Sequence, residues 1–275
     1  MPVICSVEKY YRKVYFKSKR YLPMYRYWRF IILSLIASGS LLAIIFIPVI
    51  PQDPSYHNFA DDRTLWSIPN VFNVVSNIPL FIVGLIGLIF CAKHPTTAGI
   101  WSWRIFFGAV TFISVGSAYY HWTPNNWTLF WDRLPMVIGF MALFVSLLSE
   151  FIHARFEVIL LIPLCMLGIA SVIYWHFTDD LRFYAWVQFF PLLYITIVFL
   201  LYRQRSTYQS YLFAALGLYI LAKVVEVFDK AFFSMTLQNI SGHSLKHLLS
   251  ILAVYILYLR LRRSSSILNE ERKIA

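Results

Sequence analysis

The chain has 275 residues, of which 59% are hydrophobic, 19% aromatic and only 13% charged. Average soluble domains carry about 25% charged residues, so this composition excludes an ordinary soluble fold and calls for a bilayer to solvate the outer faces of its helices. The formal net charge of +11 would suggest nucleic acid as a partner in a soluble chain. Here the charges sit between hydrophobic runs, so they point to orientation in a membrane, with no nucleic-acid partner.

The first feature in chain order is a basic stretch, Lys9 to Arg29, suited to anionic lipid headgroups. An apolar run over 28–50 follows. It is long and lacks a small-residue cleavage site, so it reads as a retained anchor rather than a signal peptide. A spanning helix needs about 20 mainly apolar residues. Seven further segments qualify: 70–91, 104–121, 131–150, 156–175, 183–202, 209–230 and 243–261. The linkers are short. The expected fold is therefore all-α, a polytopic transmembrane helical bundle made of a seven-helix core plus one extra N-terminal transmembrane helix. Residues 1–55 form the basic segment and extra helix, 56–262 the seven-span domain and 263–275 a tail.

With the N-terminus placed in the cytoplasm, 18 of the 24 Lys and Arg residues fall on that side and five on the other, and Lys223 lies within a span. This bias supports an even number of spans with both termini cytoplasmic. Trp28, Trp101, Trp103, Trp127, Trp131 and Trp186 lie at segment ends, as interfacial belts require.

Polar residues then gather on the extracytoplasmic side. The third span ends in Ser117-Ala118-Tyr119-Tyr120-His121, and the spacing of four puts Ser117 and His121 on one helix face. The fourth span begins beside Asp132. The eighth begins Gly242-His243-Ser244-Leu245-Lys246-His247, whose two histidines are one helical turn apart and suit a single metal ion. Catalytic zinc usually takes three protein ligands and leaves a position for water, and His121, His243 and His247 supply three imidazoles. Asp132 is placed to shuttle a proton or hold the water, and Ser117 to donate to a developing oxyanion. The cysteines Cys5, Cys91 and Cys165 are too far apart for a disulfide framework or a Cys-type zinc site. His94 and His153 fall on the opposite side without clustering; His57 and His176 share the site's side as accessory candidates.

At these residues the chain resembles the alkaline ceramidase family, within a superfamily of seven-span membrane hydrolases and receptors. SNIP at Ser76–Pro79, SAYYH at Ser117–His121, DRLPM at Asp132–Met136 and GHSLKH at Gly242–His247 carry the resemblance, which covers roughly residues 56–262. It implies zinc on His121, His243 and His247, supporting catalytic roles for Ser117 and Asp132, and hydrolysis of the amide of a ceramide-like lipid to a sphingoid base and a fatty acid. Three departures stand out. The first span is extra, and Lys246 stands where ceramidases often have Trp. The stretch Phe59–Asn70, where animal members bind calcium, lacks the family's glutamates. Asp61, Asp62 and Asn70 there are oxygen donors of the type calcium prefers, and the segment reads equally as an ordinary loop with an Asp helix cap. Lys223 and Glu226 form an i,i+3 pair that is either structural or part of the site's lining, and Asn73, Ser76 and Asn77 read as packing around the site. The rival functions are a related membrane lipase cleaving an ester, a lipid-binding receptor with structural zinc, and a transporter. Broken helices at mid-membrane and repeat symmetry, the transporter signature, are not evident.

Overall fold

The computed structural model describes residues 27–94, 99–202 and 208–274; most of the basic N-terminal stretch, together with Cys5, Arg203 and Arg205, lies outside the described residues. The chain is all-α. The helices are α1 (Tyr27–Phe46), α2 (Val71–Val75), α3 (Ile78–Lys93), α4 (Ile100–Trp122), α5 (Asn126–Phe151), α6 (Arg155–Thr178), α7 (Arg182–Tyr202), α8 (Gln209–Val227), α9 (Asp229–Met235) and α10 (Gly242–Ile274). Among the described residues, eight stretches are long and apolar enough to cross a membrane, matching the eight expected. The chain divides into compact units at Gly39, so that residues 40–275 form one unit and residues 1–39, with the first part of α1, another.

The edges differ from expectation where proline or polar residues intervene. The first run ends at Phe46 rather than at residue 50, just ahead of Pro48 and Pro51, which cannot donate to a helical ladder. The second is two helices. Pro79 at the start of α3 lacks an N–H and crowds the carbonyl of Val75, so α2 stops there and Ser76-Asn77 forms the joint. The seventh breaks at Phe228 into α8 and α9, and the eighth runs on as a 33-residue helix into the residues expected to form a tail.

Short connections make neighbouring helices antiparallel. The link from α4 to α5 is closed by a capping box: Asn125 Oδ1 accepts from the Thr128 amide at 3.0 Å, and Thr128 Oγ1 accepts from the Asn125 amide at 3.2 Å. The end of α4 and the starts of α2, α5, α7 and α10 therefore share one end of the bundle. Within it, α4 packs on α3 and α5, α5 on α6 and α7, and α10 on α8 and α3, while α2 touches both α4 and α10. The core at this end comprises Tyr120, Leu129, Val137, Met141, Val172, Trp175, Tyr184 and Val187. Large apolar side chains such as Phe112, Ile162 and Leu200 face outward, where lipid rather than water is the fitting solvent.

Two glycines set the approach of helices at this end. A Cβ on Gly116 would strike the Trp131 carbonyl and the Asp132 Cα, so α4 and α5 meet backbone to backbone beside Ser117. A Cβ on Gly242 would strike the Val225 carbonyl and Asp229, which seats the first turn of α10 against the end of α8.

Candidate metal centre

His121 ends α4, and His243 and His247 occupy successive turns at the start of α10. All three are buried, with one ligand nitrogen from each lying within 4.8 Å of the others. His121 Nε2 and His243 Nε2 face each other at 3.3 Å. Two nitrogens at about 2.0–2.1 Å from one tetrahedral zinc lie roughly 3.3–3.4 Å apart, so the spacing fits that ion. Among the described residues this is the one group of three or more His, Cys, Asp or Glu side chains close enough to hold a metal.

Neighbours orient these rings. Ser76, in the joint between α2 and α3, lies 2.7 Å from His247 Nδ1, and its hydroxyl donates to the Asn73 carbonyl at 3.1 Å. With its proton so placed, Ser76 accepts from His247 Nδ1–H, which leaves the Nε2 lone pair for a metal. Asn73 Oδ1 in turn accepts from the Ser244 hydroxyl at 2.8 Å, tying the joint to α10. Asp229 caps α10: its Oδ1 accepts from the His243 amide at 2.7 Å, and its Oδ2 accepts from the Ala60 amide at 2.8 Å. That second bond holds the preceding loop over the site, where the Phe59 ring packs 4.7 Å from His121 and 4.8 Å from His243. Asn70 Nδ2 donates to the His121 carbonyl at 2.9 Å. His121 Nδ1 is buried without a partner.

One contact opposes metal binding. Lys246 Nζ donates to His243 Nε2 at 2.8 Å and also pairs with Glu226 at 3.1 Å. Glu226 gives its other oxygen to Lys223 at 2.8 Å, so the i,i+3 pair read from the sequence is an ion pair that also lines the site. The Tyr56 hydroxyl bonds Glu226 at 3.4 Å; the charge of Glu226 and then burial push its pKa up, so it remains a proton donor.

Ser117, Asp132, Lys246 and His247 line a cavity of about 400 Å³ that continues among Leu143, Ile195, Phe199 and Leu257. It is therefore polar at the histidine end and apolar beyond. Asp132 makes no ion pair among the described residues.

The remaining candidates lie elsewhere. His57 bonds the Tyr120 hydroxyl and Asn126 Oδ1, each at 3.0 Å, and fastens the loop after α1. His176 packs against Phe130 and Trp127. His94 and His153 bond local backbone at the far end of the bundle. Of the three calcium candidates, Asp61 is buried and gives both carboxylate oxygens to Arg63, Asp62 is exposed, and Asn70 is used on His121. A calcium ion there has to compete with the Arg63 guanidinium for Asp61.

The sequence groups Asp229 with Lys223 and Glu226 on the seventh span and places Ser76 in the packing around the site, but it does not show that these two and Phe59 support the histidines. The SNIP segment at Ser76–Pro79 and the acidic residue at the end of the seventh span were the available signals.

A sequence-family model described as Ceramidase matches residues 63–274. No curated protein matches the chain.

Proposed function

Because the chain belongs to the ceramidase family, we propose that it is a membrane-embedded, zinc-dependent amidase. It hydrolyses the N-acyl bond of ceramide-like lipids to a sphingoid base and a fatty acid. The observation that carries this reading is the cluster of three buried imidazoles, one of which, His247, lines the polar end of a largely apolar cavity.

His121, His243 and His247 would hold the zinc, which when bound supplies Lewis acidity towards the amide carbonyl and the attacking water. Ser117 lies one turn before His121 on the same face and donates its hydroxyl to the carbonyl oxygen as negative charge builds there. Asp132, free of ion pairs and facing the same cavity, takes a proton from the attacking water and returns it to the departing nitrogen as the C–N bond breaks. The apolar length of the cavity holds the acyl and sphingoid chains. α7 and α8 both line the cavity, and the lipid enters it sideways from the bilayer. The excess of basic residues at the opposite end supports cytoplasmic termini and a site towards the extracytoplasmic face.

The test is fatty-acid release by purified protein from a panel of lipid amides and esters, with and without zinc, with His243→Ala as control. Zinc-dependent cleavage of ceramides, lost in the variant, is expected. Ester cleavage in place of amide cleavage would make it a lipase. About one zinc per chain with no turnover of any lipid would make it a binding protein with a structural metal.

A further inference from the structure

Arg133 follows Asp132 on α5, is 6% exposed and lines the cavity. Its guanidinium is clasped between aromatic faces, 4.2 Å from the Trp175 ring centre and 4.6 Å from that of Tyr184. Nη2 donates to the neutral amide of Gln52 at 2.7 Å. Nη1 is buried and has no hydrogen-bond partner, and no carboxylate lies within ion-pair distance among the described residues. Stacking on aromatic rings stabilises the charge but leaves that N–H unsatisfied. A guanidinium cannot shed its proton to escape burial, so an unpaired one within a bundle marks a place where an anion is received.

The protein's own carboxylates do not meet this need. The cavity wall carries Arg133, Lys223 and Lys246 against Asp132 and Glu226. Glu226 is divided between the two lysines. A divalent ion held by His121, His243 and His247 would add to the positive excess. Arg133 also sits on the headgroup side, since Gln52, its partner, belongs to the loop after α1 at the histidine end. The apolar wall runs the other way, past Leu147, Phe199 and Leu257.

We propose that the lipid cleaved here carries an oxyanion, a carboxylate, sulfonate or phosphate, on the amine side of its amide, and that Arg133 binds it. This rests on the amidase reading and narrows it from neutral diol ceramides to N-acyl lipids with an anionic headgroup. The three anions share one chemistry, oxygens that accept two parallel N–H bonds from a planar fork. The aromatic clasp holds the fork in its plane.

The test uses the full chain in detergent, stripped of metal so that nothing is turned over. Displacement of a fluorescent N-acyl lipid reads the binding of four probes with one acyl chain: N-acyl sphinganine, its 1-phosphate, its 1-sulfonate and an N-acyl amino acid. At least one anionic probe is expected to bind about 10- to 100-fold more tightly than the neutral one. Arg133→Gln is expected to erase that preference and Arg133→Lys to keep part of it. Equal binding of neutral and anionic probes by the wild type overturns the proposal. So does a plain fatty acid whose binding depends on Arg133 as strongly, because the guanidinium then serves the product carboxylate. Should Arg133→Gln fail to fold, the wild-type preference and its value in Arg133→Lys still decide. Hydrolysis is assayed separately with zinc. Selective binding without cleavage sinks the amidase reading alone, and cleavage without selectivity sinks the headgroup assignment alone.

Discussion

At the scale of single residues, the centre depends on which lone pairs are left free. Ser76 fixes the proton on His247 Nδ1, so Ser76→Ala removes the acceptor that sets the tautomer. Zinc affinity, measured by competition with a chelator, is expected to fall about 10- to 100-fold. Lys246 acts in the opposite sense, because its ammonium occupies the His243 nitrogen that a metal needs. Lys246→Met removes a cation from beside a divalent ion and leaves Glu226 paired with Lys223, so zinc is expected to bind about tenfold more tightly. Unchanged or weaker binding in the same titration would show that Lys246 supports the site. The histidines themselves were legible in the sequence, because a spacing of four on a helix is a local property. The contact of Ser76 spans 171 positions, and no local pattern announces it.

At the scale of elements, close approach and anchored turns decide the geometry. Gly116 allows α4 and α5 to touch through backbone, which brings Ser117 and Asp132 to the wall of one cavity. Gly116→Ala places a methyl against the Trp131 carbonyl, which has no rotamer with which to yield. The expected result is a loss of about 1–3 kcal/mol of stability and, from misplacement of the reacting groups, a drop of about 100-fold in turnover. Activity and thermal midpoint measured on one preparation separate the two effects. The turn between α6 and α7 is anchored differently: buried Asp180 accepts from the Arg182 amide and guanidinium. That guanidinium, the largest cause, draws the carboxyl pKa down to about 2. An unfolded Asp titrates near 3.9, so the folded value is depressed. The stabilisation is full above about pH 4 and fades as pH falls through about 2. The difference in thermal midpoint between wild type and Asp180→Asn should shrink across that window. A difference that stays constant from pH 5 to pH 2 would remove the ion pair from the account.

At the scale of the whole molecule, the proposed orientation, with the histidine end away from the cytoplasm, rests on the distribution of basic residues. Asn239 lies in the link before α10 at that end, and His153 in the link between α5 and α6 at the other. In a background lacking Cys5, Cys91 and Cys165, Asn239→Cys should react with a membrane-impermeant maleimide on intact cells, whereas His153→Cys should react only after permeabilisation. The reverse pattern would invert the topology while leaving the chemistry of the centre untouched. Sequence alone determined that the chain is helical, that it has eight stretches able to span a bilayer, and that three histidines, a serine and an aspartate come to one end. Each of these follows from hydropathy or from spacing within a single helix, which is local information. Only the tertiary structure decided that Ser76 orients His247, that Asp229 caps the helix bearing His243, that Lys246 bonds His243 Nε2, and that Arg133 is buried with no carboxylate paired to it among the described residues. These depend on contacts between segments far apart in the chain, where helix packing rather than local periodicity chooses the neighbours.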